Sequence, residues 1–236
     1  MRIPLNMLHW YIGLVVVTVF AIRGLMAAHR TKNRITLFLG LAGLWFAICF
    51  CFYGLPPLFT LDPVILTTST MLGDIASFIG LFFVWMAVAR AYAPNSRLGR
   101  TIILLYAGAL LLAGSYFSIV ENLANPVRMA QLPSGVWNIY FSFSRGFEVV
   151  TALQYFSFIL IAIKFWQQAA GVTATEQRWR LRTIALGFFI VGCVYFLRIF
   201  ANTGTYTFTM TLAIALGILI AGLFVVFAPL IKRIKR

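Results

Sequence analysis

Apolar runs about as long as a bilayer is thick recur along this chain, and a soluble fold has no interior large enough to hide them all. Roughly seven can be read, at approximately 8–28, 35–54, 66–89, 101–121, 138–164, 183–203 and 208–231. A helix needs about 20 residues to cross a hydrocarbon core near 30 Å. Charged residues make up 10% of the chain, against about 25% in a typical soluble domain. The expected fold is an all-α integral membrane protein, a seven-helix transmembrane bundle forming a single domain over 1–236.

The net charge of +14 gains its meaning from position. Arg30, Lys32 and Arg34 separate the first two stretches, and Arg90, Arg97 and Arg100 separate the third and fourth. Lys164, Arg178, Arg180 and Arg182 fall between the fifth and sixth, and Lys232, Arg233, Lys235 and Arg236 follow the seventh. These are alternate connections, so the positive-inside rule predicts an outside N-terminus, a cytoplasmic C-terminus and a multi-pass protein of the cell membrane. Arg2 and Arg128 fall on the other side, with Asp62 and Glu121. The same charges attract anionic headgroups on the cytoplasmic side; nucleic acid is not an expected partner. The first stretch reads as a retained helix, because its far flank is basic and its near flank carries only Arg2.

Against this background Asp74, inside TMLGDIASFIG, needs a reason. A charge at the centre of a spanning helix costs roughly 2.5–3.5 kcal/mol even on lenient insertion scales. Counted from the basic inner boundaries, Asp74 lies 16 residues above Arg90, Glu148 lies 16 before Lys164, Arg145 lies 19 before Lys164, and Arg198 lies 16 beyond Arg182. Two acids and two bases are thus expected near one depth, in the outer third. Thr67, Thr70, Asp74 and Ser77 share one helical face. Asn138, Ser142, Arg145, Glu148 and Thr151 have compatible spacing, as do Tyr195, Arg198, Asn202 and Thr205. The inner halves (LFFVWMAVA, FSFILIAI, LGFFIVG) are almost wholly apolar. The pattern predicts a polar cup open to the outside, with Asp74, Arg145, Glu148, Arg198, Thr70 and Asn202 as candidate ligand-binding residues. The competing expectation is a structural ion-pair layer, with Arg145 and Glu148 paired within one helix and Asp74 and Arg198 paired between helices.

Other features read as architecture. Ala213, Gly217 and Ala221 form a small-residue stripe suited to close helix packing or a homodimer. Trp10, Trp137 and Tyr206 fit an outer aromatic belt, and Arg23 is placed to snorkel. His9 and His29 lie at opposite ends of one stretch, and Cys49 and Cys51 have no supporting ligand nearby, so no metal site is expected. FTMTLAIALGILIAGLFVVF lacks the lysine a retinal Schiff base needs. No catalytic constellation and no cofactor are expected.

The organisation resembles the N-terminal seven-transmembrane sensor region of bacterial histidine kinases. The resemblance is carried by FYGLPPLFTLDPVILTTSTMLGDIASFIGLFFVWMAVARAYAPNSR and by EQRWRLRTIALGFFIVGCVYFLRIFANTG. It implies sensing at the outer face and coupling through the last helix to a cytoplasmic output. The sequence carries no phosphoacceptor histidine domain and no ATP-binding domain after PLIKRIKR. Signalling is therefore expected to need a cytoplasmic partner or further chain, with Lys232–Arg236 and Arg178–Arg182 as contact surfaces. A structural or assembly subunit of a membrane complex is the alternative, and a small transporter a third.

Overall fold

A computed structural model describes residues 4, 8–93, 95–133, 135, 137–141 and 145–200; at 8, 92, 176, 180, 191 and 194–200 it covers the backbone alone. In chain order the elements are α1 (Leu8–Thr31), α2 (Arg34–Gly54), α3 (Pro56–Phe59), α4 (Pro63–Tyr92), α5 (Arg97–Ala124), β1 (Arg128–Gln131), β2 (Trp137–Tyr140), α6 (Arg145–Ala170) and α7 (Thr175–Phe200). Among the described residues, five helices are long and apolar enough to cross a membrane: His9–Thr31, Arg34–Phe59, Pro63–Ala91, Arg97–Ala124 and Arg145–Gly171. The expected sixth stretch enters α7 and runs past its last described residue, and the expected seventh, 208–231, lies outside the described residues. The chain divides into two units, residues 1–151 and 152–236.

In the first unit α2 packs on both α1 and α4, and α4 also packs on α5. Small residues decide how closely. A Cβ built on Gly40 would lie 2.9 Å from the Leu25 backbone nitrogen, and one on Gly24 would lie 3.0 Å from the Gly40 Cα. Backbone meets backbone there, the close approach that small residues permit between membrane helices. Gly54 faces Tyr11 while Gly43 faces Ala21, so α1 and α2 are antiparallel. Gly73 meets Tyr53 and Gly80 meets Phe46, which makes α2 and α4 antiparallel as well. On α5, Ala107, Leu110, Gly114, Ser118, Glu121 and Asn122 are buried at helical spacing, and Gly114 leaves room for the Phe78 ring of α4.

Local signals start and stop these helices. Asn33 caps α2, its Oδ1 accepting from the Ile35 and Thr36 amides. Asp62 caps α4 ahead of Pro63, and Ser96 caps α5. The antiparallel order gathers the α1–α2 and α4–α5 connections at one end of the unit. The other end carries the α5–α6 segment.

That segment departs from the expected helix over 138–164. Residues 138–140 belong to β2, which pairs antiparallel with β1 in the register Met129 to Ile139 and Ala130 to Asn138; α6 begins only at Arg145. WNIY alternates aromatic or β-branched residues with Asn138, and Gly135 supplies a positive φ of 80° in the turn. Alternation sends Ile139 and Met129 inward, into a cluster with Trp10, Cys49, Phe50, Leu66, Ala76 and Val127. Pro4 adds a parallel bridge to Trp137.

The second unit, described as far as Phe200, comprises the rest of α6 with α7. Phe188 stacks against Phe158 (5.7 Å between centroids) and Phe165 (6.0 Å), Gly192 lies against Tyr155 and Ile159, and the Arg182 guanidinium sits 5.3 Å from the Trp166 ring centroid.

Candidate functional site

Asp74 lies about 17 Å along α4 from Pro63 and about 27 Å from Tyr92, nearer the hairpin end. It is buried, at 6% exposure. Donors reach it from two neighbouring helices. The Tyr53 hydroxyl, in the last turn of α2, donates to Oδ1. Ser118 Oγ of α5 donates to Oδ2 at 2.7 Å, and Asn122 Nδ2 approaches the same oxygen at 3.5 Å while donating more closely, at 2.9 Å, to the Ser118 carbonyl. A carboxylate buried at membrane depth needs such donors, since an unmet one costs several kcal/mol.

The tyrosine is held in its turn. Trp10 of α1 stacks on its ring, with centroids 4.3 Å apart and planes 16° from parallel, and Phe141 meets it edge-on at 6.4 Å. Gly73 makes room, because a Cβ there would lie 2.9 Å from two Tyr53 ring carbons. Two turns toward the hairpin from Asp74, Thr67 Oγ1 accepts from the Val127 amide at 2.9 Å and so ties the hairpin approach to α4. The layers on this side of α4 are therefore the Asp74–Ser118 pair, then Thr70 and Asn122, then Thr67, Leu66 and Val127.

No protein-family model matches the chain, and no curated protein matches it in sequence. The site must be read from its own geometry.

The expected site residues fare differently. Thr70 is buried on the face of Asp74, but its hydroxyl donates to the Leu66 carbonyl at 2.9 Å, within its own helix. Arg145 opens α6 exposed and Glu148 is half-buried one turn on; the two form no ion pair with each other among the described residues. Arg145 and Glu148 therefore do not satisfy one another as the i, i+3 spacing suggests. Asn138, expected on the same helix, stands on β2 instead. The Arg198 side chain and the whole of Asn202 lie outside the described residues.

Three residues absent from the expected set belong to the network: Tyr53, Ser118 and Asn122. Glu121, expected on the outer side at the end of the fourth stretch, is buried at 5% exposure on the inward face of α5, where Asn125 Nδ2 donates to its Oε1 at 2.8 Å. The described residues hold no group of three or more His, Cys, Asp or Glu side chains that could ligate a metal. Chemically, the described contacts join three helices through one carboxylate and the hydroxyl and amide groups that donate to it.

Proposed function

We propose that this chain is a receptor-like sensor module of the cell membrane, with the hairpin end outside and the basic end in the cytoplasm. The observation that carries the reading is the buried Asp74 carboxylate bound to donors on α2 and α5. A ligand or charge change felt at this junction alters the contacts of three helices together, and those helices run to the cytoplasmic connections. Output then passes to a cytoplasmic partner or to further chain, as the resemblance to histidine-kinase sensor regions implies. Intramembrane ionisable residues mark functional sites often enough to favour this role.

The test is thermal unfolding in detergent of the wild type and Asp74→Asn, with and without a panel of small anionic, zwitterionic and ammonium metabolites. A ligand at a hundredfold excess over its Kd stabilises by about 2.7 kcal/mol. The expected result is a compound that raises the midpoint of the wild type and leaves a folded Asp74→Asn protein unmoved. If no compound acts and Asp74→Asn unfolds early, the sensor reading fails. The assembly-subunit reading then takes its place, with a stable copurifying protein as its signature. One observation already favours that second reading: Tyr53, Ser118 and Asn122 of the chain itself donate to Asp74, an arrangement that holds a bundle together without any ligand.

A further inference from the structure

At the end of the first unit opposite the hairpin, charge is one-sided. Arg30, Lys32 and Arg34 in the α1–α2 connection are exposed, as are Arg90 and Arg97 beside the α4–α5 connection, with Arg100 half-buried three residues further on. None of the six has an ion-pair partner among the described residues. The unit's acids, Asp62, Asp74, Glu121 and Glu148, all lie toward the hairpin end. The two connections share one rim, because Phe38 of α2 meets Phe83 of α4 and Trp85 of α4 meets Tyr106 of α5.

Helix polarity makes half of these charges locally unfavourable. α1 and α4 finish at the rim, where Arg30 and Arg90 complement their C-terminal ends. α2 and α5 begin there, and their first turns carry Arg34, Arg97 and Arg100 with no acidic residue. Cations at a helix N-terminus oppose the dipole, so local folding does not account for these three. An anion supplied from outside the chain would reverse the balance. Arg34 and Arg97 are also the first residues of two spanning segments, at the level where a bilayer places its phosphates. We infer that the α1–α2 and α4–α5 connections form a binding rim for anionic phospholipid headgroups. This goes beyond the sensor reading and needs only that the helices span a bilayer.

The test is titration of the purified 236-residue chain in neutral detergent with phosphatidylglycerol, phosphatidylcholine and inorganic phosphate, read by native mass spectrometry. In detergent the arginines no longer act on membrane insertion, which separates headgroup binding from the positive-inside effect. Phosphatidylglycerol is expected to bind more tightly than either competitor. An Arg34→Gln/Arg90→Gln/Arg97→Gln variant should weaken it about a hundredfold, near fivefold per charge. Arg128→Gln, at the opposite end, should leave it unchanged. Equal affinity for phosphatidylcholine, full binding by the triple variant, or an equal loss in Arg128→Gln overturns the inference. Inorganic phosphate binding as tightly as the lipid overturns the lipid assignment. If the triple variant does not fold, the wild type decides: its phosphatidylglycerol affinity should fall at least tenfold between about 0.05 and 0.5 M salt, and constant affinity overturns the rim.

Discussion

Asp74 shows how much of a membrane site depends on residues that look ordinary in sequence. Its carboxylate is conspicuous in an apolar run, but the serine, asparagine and tyrosine that hold it are not. Ser118→Ala removes the closest donor to Oδ2, and Tyr53→Phe removes the hydroxyl on Oδ1. Interhelical hydrogen bonds in membranes average about 0.6 kcal/mol and reach about 1.7. A charged acceptor belongs at the upper end. Each substitution should therefore lower stability by about 1–2 kcal/mol in a detergent unfolding titration. Thr70→Val is the contrasting case: among the described residues its hydroxyl serves only the Leu66 carbonyl of its own helix, so a loss within about 0.5 kcal/mol is expected. A larger loss for Thr70→Val than for Ser118→Ala would place the site where the spacing alone puts it. The missing partners had left a trace in the sequence. Ser118 lies 18 residues beyond Arg100, close to the 16 that separate Asp74 from Arg90. Depth counting applied to uncharged polar residues would have brought the two together. No count of that kind identifies Tyr53, whose role depends on how α2 stacks beneath Trp10.

Among the elements, composition and basic boundaries locate the first four spans to within a few residues. The expected 35–54 becomes α2 at Arg34–Gly54, and the expected 101–121 becomes α5 at Arg97–Ala124. The fifth begins later than expected because the aromatic and aliphatic side chains of WNIYFSF lead straight toward α6 across a change of conformation. The period of two in WNIY and the turn at Gly135 are what mark the strand. What sequence cannot supply is which glycines are needed. Gly40 faces the rigid backbone of Leu25, so Gly40→Ala must push α1 and α2 apart; a loss of about 1–3 kcal/mol is expected, the range for overpacking. Gly108 has nothing within 4 Å of a built Cβ. Gly108→Ala should raise stability by up to about 1 kcal/mol through helix propensity alone. The two midpoints, measured side by side in one detergent, should move in opposite directions. If both rise, the α1–α2 crossing has slack that this packing does not show.

For the molecule as a whole, the consequential feature is that the first unit has two chemically unlike ends. One gathers exposed arginines and lysine; the other gathers the four acids, the aromatic cluster and a hairpin tied to α4 through Thr67 and Val127. Antiparallel packing of α1, α2, α4 and α5 produces this separation, because each connection inherits the charge of the end to which it returns. Loop by loop, the sequence carries the same asymmetry, and the folded unit brings its scattered cations to one rim. Short basic connections resist translocation across the cell membrane. The orientation that follows is testable without any assumption about ligand. Ala130, exposed on β1, and Asn95, exposed between α4 and α5, can each be changed to cysteine. The native cysteines provide the background: Cys49 is buried, and Cys51 and Cys193 are half-buried within helices. In intact cells a membrane-impermeant maleimide should label Ala130→Cys at once and Asn95→Cys only after permeabilisation. The reverse pattern would put the basic rim outside. It would remove the cytoplasmic leaflet as the source of the rim's lipid and turn the Asp74 end toward the cytoplasm, so the sensor reading would have to look for an internal signal. Labelling of both sites in intact cells would mean that α5, the helix between them, does not cross.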